Sequence, residues 1–102
     1  MPYLIYWTFN ARKNLERIYR FLSEKNKEVA KMAIKTIREK VLLLENFPNA
    51  GRPAYDLEPE HREVLIPFGE TGYVILYHLV NNSIYILAIR HQKEVNYNSI
   101  IL

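Results

Sequence analysis

Gly72-Tyr73-Val74-Ile75-Leu76-Tyr77-His78-Leu79-Val80-Asn81-Asn82-Ser83-Ile84-Tyr85-Ile86-Leu87-Ala88-Ile89-Arg90 decides the fold: two β-branched and aromatic runs are joined by a pair of asparagines. Such side chains fit a pleated, packed surface, and an Asn-Asn link suits a tight hairpin because asparagine tolerates positive φ. The spacing predicts strands over 73–80 and 83–90. In the first of them Tyr73, Ile75, Tyr77 and Leu79 share one face, while Val74, Leu76, His78 and Val80 share the other. Neither face is consistently polar, so the sheet needs cover on both sides.

Immediately upstream, residues 62–66 read as another strand, and a turn containing Gly69 and Gly72 joins it to the next, giving a three-stranded antiparallel meander. Before it, Phe47-Pro48-Asn49-Ala50-Gly51-Arg52-Pro53 stops a helix, since proline lacks the donor a further turn requires and Gly51 accepts positive φ. The stretch from there to Glu60 reads as loop. Ala30, Ala33, Ile34, Ile37, Val41 and Leu44 recur at helical spacing and place a helix ending near Asn46. Ala11, Leu15, Ile18, Tyr19 and Leu22 place another, capped by Thr8 or Asn10 and ending near Ser23. The polar break between them is short, so the helices form an antiparallel hairpin. Residues 3–7 form a short first strand.

These elements predict one α+β domain over 1–102, in the order β-α-α-β-β-β. The helical hairpin packs on one face of a small, mainly antiparallel four-stranded sheet. The other face is left for a partner, the C-terminal tail or the 47–61 loop. Nearly half of the residues are apolar and a quarter are charged, an ordinary globular composition. There is no cysteine, hence neither a disulfide framework nor a thiolate nucleophile, and no apolar run approaches the ~20 residues of a membrane span. A reducing cytoplasm suits such a chain.

Charge is uneven. Residues 1–51 hold ten Lys/Arg against five Asp/Glu, a surplus of +5, and residues 52–102 hold four against six, giving −2. A basic half points to an anionic partner, or to a solvated helix surface. No Gly-rich phosphate loop, His-Glu-x-x-His helix or Gly-x-Ser-x-Gly elbow is present, and His61, His78 and His91 lack the short spacing of metal ligands, so no metal or cofactor is expected. The informative set is Arg52, Arg62, Arg90, His91, Lys93 and Tyr97, all at loop or strand ends. Cations there can grip phosphates and a tyrosine can stack a base; RNA cleavage would further ask for a base, an acid and cations around the pentavalent phosphate. Each of these residues also has an ordinary structural use, and His78, inside a strand among apolar neighbours, reads as structural.

The element order is similar to that of the RelE/ParE toxins of bacterial type II toxin-antitoxin modules, which include plasmid stabilisation toxins. The segments that carry the resemblance run through nearly the whole chain: Ala11 to Ile18 followed by Tyr19, Phe47-Pro48-x-x-Gly51-Arg52, Arg62-Glu63, Gly72-Tyr73-x-x-x-Tyr77 and Ile86-Leu87-x-x-x-His91. The resemblance implies a cytoplasmic toxin held inactive by a ParD-like or RelB-like antitoxin, through which alone it would reach operator DNA. Its two branches differ in target. RelE-like members cut mRNA on the ribosome, whereas ParE-like members poison DNA gyrase without hydrolysis of their own. RelE-like toxins resemble one another in an arginine just after the Gly-Tyr of the third strand, and here Val74 stands in that place. Losing one such cation costs about 3 to 4 kcal/mol of transition-state stabilisation. The expectation is therefore a ParE-like gyrase inhibitor. The alternatives are a ribosome-dependent endoribonuclease using Arg62, Arg90, His91, Lys93 and Tyr97, and a degenerate toxin that serves as an autoregulatory binding module.

Overall fold

A computed structural model describes residues 2–54 and 60–93. Strand β1 (Leu4–Trp7) leads into α1 (Phe9–Ser23) and α2 (Lys27–Leu43), followed by β2 (Arg52–Pro53), β3 (His61–Phe68), β4 (Thr71–Val80) and β5 (Ser83–His91). Both helices start on side-chain caps. Thr8 accepts the Ala11 amide at 3.2 Å, and Asn26 accepts those of Glu28 and Val29, which satisfies donors that the first turn leaves open. Of the two expected caps for α1, Thr8 is therefore the one used. The second helix ends at Leu43, slightly before the expected Asn46.

The sheet corrects the expected architecture. It has five strands in the order β1-β5-β4-β3-β2 and is mixed, because β1 runs parallel to β5 while the other pairs are antiparallel. The extra strand is the Arg52–Pro53 pair on Glu63 and Arg62. Its two residues are too few to show a period, and a proline reads as a strand breaker anywhere but at an edge. Both hairpins turn on two residues whose first member has positive φ, Gly69 at 63° and Asn81 at 54°, as tight hairpins require. Gly72 belongs to β4, opposite Pro67, and not to the turn.

Ile18, Ile37 and Val41 from the helices, with Leu44 just after α2, meet Val64, Ile66, Tyr73, Ile75, Tyr77, Ile84, Ile86 and Ile89 from the sheet in one core. The helical hairpin thus covers one face, as expected. On the other face Ala54 packs on Leu76 and Ala88, so part of the cover comes from the loop before β3. The second possible cover, the C-terminal tail, lies outside the described residues.

One irregularity in β5 sets the position of the later residues. Tyr77 opposes Ile86 but Leu76 opposes Ala88, so Leu87 is an extra residue in the ladder. Such a β-bulge reverses the alternation beyond it. Ile84 and Ile86 face the helices before the bulge, and Ile89 does after it, which turns Arg90 to the helix-free face. β1 ends beside Ile86, and α1 takes over the exposed backbone of β5. Thr8 Oγ1 donates to Ile86 O, Asn10 Nδ2 to Leu87 O, and buried Asn14 accepts the Ile89 amide at 2.9 Å.

Candidate functional site

The helix-stopping loop is latched onto the sheet from two sides. Tyr77, fully buried, donates its hydroxyl proton to Pro48 O at 2.8 Å and accepts the Gly51 amide at 2.9 Å. Arg62 donates through Nε and Nη2 to Gly51 O, at 3.1 and 2.7 Å. Gly51 is required by this close approach: a Cβ there would lie 2.6 Å from Glu63 O and 2.8 Å from the Tyr77 hydroxyl. Arg62, expected at the target-binding or catalytic surface, is thus placed where it holds the chain together.

Burial pushes the Tyr77 phenol above its ordinary value of 10.0, against the opposing pull of the Gly51 amide bond and of Arg62. Tyr73 is raised by burial as well. A raised acid is held neutral in the folded state, so its contribution is complete below pH 10 and is lost as pH climbs through the folded values. The expected result is a urea midpoint that is flat in mild alkali and falls steeply beyond about pH 10, with a shallower fall in Tyr77→Phe. Parallel alkaline profiles for the two proteins would remove Tyr77 from this role.

Glu63 organises the next set. Its Oε1 receives both Nε and Nη2 of Arg52 at 2.9 Å, and its Oε2 lies 3.8 Å from Arg90 Nη2. The Glu63 and Arg90 side chains are each only 11% exposed, whereas that of Arg52 is 66% exposed. One buried carboxylate of β3 therefore links Arg52 of β2 to Arg90 of β5 and offsets one of their two charges. The bulge at Leu87 makes the contact possible. Val74 pairs with Arg90 in the ladder and is itself buried, so the strand supplies no further cation there.

His91 Nε2 lies 3.0 Å from Thr71 Oγ1, and Nδ1 accepts the Lys93 amide at 3.1 Å. A backbone N–H is always a donor, so this network assigns the neutral ring with its proton on Nε2. A ring so arranged directs its Nε2 proton to Thr71 Oγ1. Tyr73 meets it edge-on at 5.6 Å. His91 lines an open groove of about 580 Å³ with Arg17, Phe21, Phe68 and Tyr73, on the helix side of the sheet and away from Arg90. Lys93 is exposed. Tyr97 lies outside the described residues.

The expected site residues that the structure describes are thus not one constellation. Arg52 and Arg90 share Glu63, Arg62 serves the latch, and His91 opens onto a separate groove. His61 and His78 are cross-strand neighbours with rings stacked at 4.6 Å, and Glu60 lies 3.9 Å from His78. Among the described residues no group of three or more His, Cys, Asp or Glu is placed to hold a metal ion. Sequence reading missed the groove around Phe21 and Phe68, whose signal was two aromatic residues at positions with no core partner in the helical or strand pattern. It also missed a larger groove, about 670 Å³, running between the helices. Leu15, Tyr19, Ile34 and Leu42 line it together with Arg12, Lys31, Lys35 and Arg38 and the acids Glu16 and Glu39.

The chain is thus a two-helix hairpin on a small mixed sheet, with a basic apolar groove between the helices and arginines tied into the strands. The chain belongs to the family of ParE toxins of type II toxin-antitoxin systems, whose model matches residues 5–96. Toxin RelE1 of Caulobacter vibrioides is 28% identical over 94 residues, covering 92% of this chain and 98% of the relative. In fold, the chain is similar to a structure of the chromosomal ParDE system of P. aeruginosa, with a TM-score of 0.72 at 23% identity, covering 89% of this chain and 97% of that one. It is also similar to a doubly substituted E. coli toxin RelE in the free state, with a TM-score of 0.68 at 11% identity, covering 99% and 95%.

Proposed function

We propose that this toxin is neutralised by a cognate ParD-like antitoxin in the cytoplasm and, when released, inhibits DNA gyrase without hydrolytic chemistry of its own. The observation that carries the reading is the use made of the arginines. Cleaving RNA calls for cations and a proton acceptor converging on one phosphate. Arg62 instead binds Gly51 O, Glu63 draws in Arg52 and Arg90, and His91 is held by Thr71 and the Lys93 amide on the helix side of the sheet. What remains accessible is surface suited to binding: the basic interhelical groove for the antitoxin, and the exposed cations Lys93, after β5, and Arg52, on β2, for the target.

An acidic amphipathic segment matches the interhelical groove, with apolar side chains on Leu15, Tyr19 and Ile34 and carboxylates beside Lys31, Lys35 and Arg38. Such a segment folds as it binds and covers apolar surface that the free chain exposes. The target is tested by expressing the chain under tight control without its antitoxin and recording growth, the DNA-damage response and mRNA cleavage in the same cells. Arrest with DNA damage is expected. Rapid mRNA cutting at the ribosomal A site would instead make the chain an endoribonuclease, and normal growth would make it a binding module.

A further inference from the structure

The sheet has two edges, and they are built differently. β2 is two residues long, carries Arg52 and ends in Pro53, features that discourage another strand from adding. β1 has no comparable guard: Leu4-Ile5-Tyr6-Trp7 contains neither charge nor proline, and no bulge interrupts its pairing with β5. The amides of Leu4 and Thr8 donate inward, to Asn82 O and Ile86 O. Alternation along the strand therefore turns the N–H and C=O groups of Ile5 and Trp7 outward, and among the described residues no loop or helix backbone caps them.

The side chains beside this edge favour a partner of the same kind. Leu4 and Tyr6 are exposed on the helix-free face, and Tyr6 stacks on Tyr85 with ring centroids 5.2 Å apart. Tyr6, Tyr85, His78 and His61 stand opposite one another in the register of four successive strands, so a row of rings crosses the sheet and stops at β1. On the helix side a groove along β1 holds one charge of each sign, Arg38 and Glu45. Tyr3 donates to Glu45 O, which places Glu45 at the start of the strand. Arg38 stands roughly 10 Å back along the helical path.

We propose that β1 is a self-pairing edge through which two copies of this chain join as an antiparallel dimer with its two-fold axis at Tyr6. Ile5 then faces Trp7 of the second copy, and the outward amides and carbonyls of both strands bond one another. Tyr6 faces its own counterpart, and the aromatic row runs on from one sheet into the next. The contact is isologous, as a two-fold dimer requires.

The chain has no cysteine, so a single introduced one reports the geometry without competition. At the axis the two Tyr6 positions are a non-hydrogen-bonded antiparallel pair, about 4.5 Å apart at Cα, within the range a disulfide spans. The two Leu4 positions are four residues out of register, about 13 Å apart, beyond that range. The full-length chain is expected to sediment as a concentration-dependent dimer. Tyr6→Cys should form a disulfide-linked dimer on mild oxidation, on the order of tenfold faster than Leu4→Cys. Tyr6→Lys, which sets two ammonium groups face to face, should sediment as a folded monomer by circular dichroism, while Tyr6→Phe stays dimeric. A wild-type chain that remains monomeric at high micromolar concentration overturns the proposal. So do equal crosslinking rates at the two positions, or a Tyr6→Lys chain as dimeric as the wild type.

Discussion

Gly51→Ala is expected to lose about 3 to 5 kcal/mol of stability, more than a surface glycine exchange ordinarily costs. The new methyl would meet two obstacles at once, a β3 backbone carbonyl at 2.6 Å and the Tyr77 hydroxyl at 2.8 Å. The carbonyl is fixed by the strand, so the loop must lift. Lifting it breaks the Gly51 amide bond to Tyr77 and loosens the Arg62 grip on Gly51 O, each worth about 1 kcal/mol or more when the groups are buried. Chemical denaturation of the purified toxin checks this. Gly69→Ala is the comparison: its φ of 63° disfavours a side chain, but nothing lies within 4 Å, and a cost of about 1 kcal/mol is expected. A Gly51→Ala loss no larger than that of Gly69→Ala would mean that the latch yields freely.

Glu63→Ala is expected to cost about 2 to 3 kcal/mol, because it removes the carboxylate facing the buried Arg90 guanidinium, whose Nη1 keeps its bonds to His91 O and Gln92 O. Arg52, largely exposed, can turn to water and adds little. Glu63→Gln keeps an acceptor for Arg52 and should fall between the wild type and Glu63→Ala. A loss under about 1 kcal/mol in Glu63→Ala would show that Arg90 is satisfied without it. Mutational mapping of toxicity is affected directly. Arg90→Ala perturbs the buried set, so loss of toxicity there reports folding as much as target contact. Lys93→Ala, on an exposed side chain, probes the surface alone.

Much of the architecture was legible because it rests on period and punctuation. The apolar spacings of α1 and α2, the breaks at Pro48 and Gly69 and the Asn81-Asn82 turn each announce themselves locally. The alternation along β4 assigned its two faces correctly. β2 was not legible, since two residues carry no period, and the parallel partnership of β1 depends on where the hairpin returns the chain. The site was harder to read for one main reason. Counting by twos from Ile86 puts Arg90 on the helix side, and only the extra residue at Leu87 turns it towards Glu63. Asn14 illustrates a similar limit: on a helical wheel it is one more polar residue, yet it serves the Ile89 amide of a strand far away in sequence. Arg62 read correctly as a strand-end cation, but its bond to Gly51 O required the loop and strand to be brought together.

The Glu63 arrangement also shapes how the molecule is sensed from a distance. With a single internal acid between the arginines of β2 and β5, that set keeps a net charge of +1, whereas the surplus of +5 in the first half of the chain resides mainly on the helices. The protein is an electrical dipole with a positive helical pole. An acidic partner arriving by diffusion is turned towards that pole before any contact forms, and added salt, by shortening the roughly 10 Å reach of the field, slows the encounter more than it loosens the finished complex.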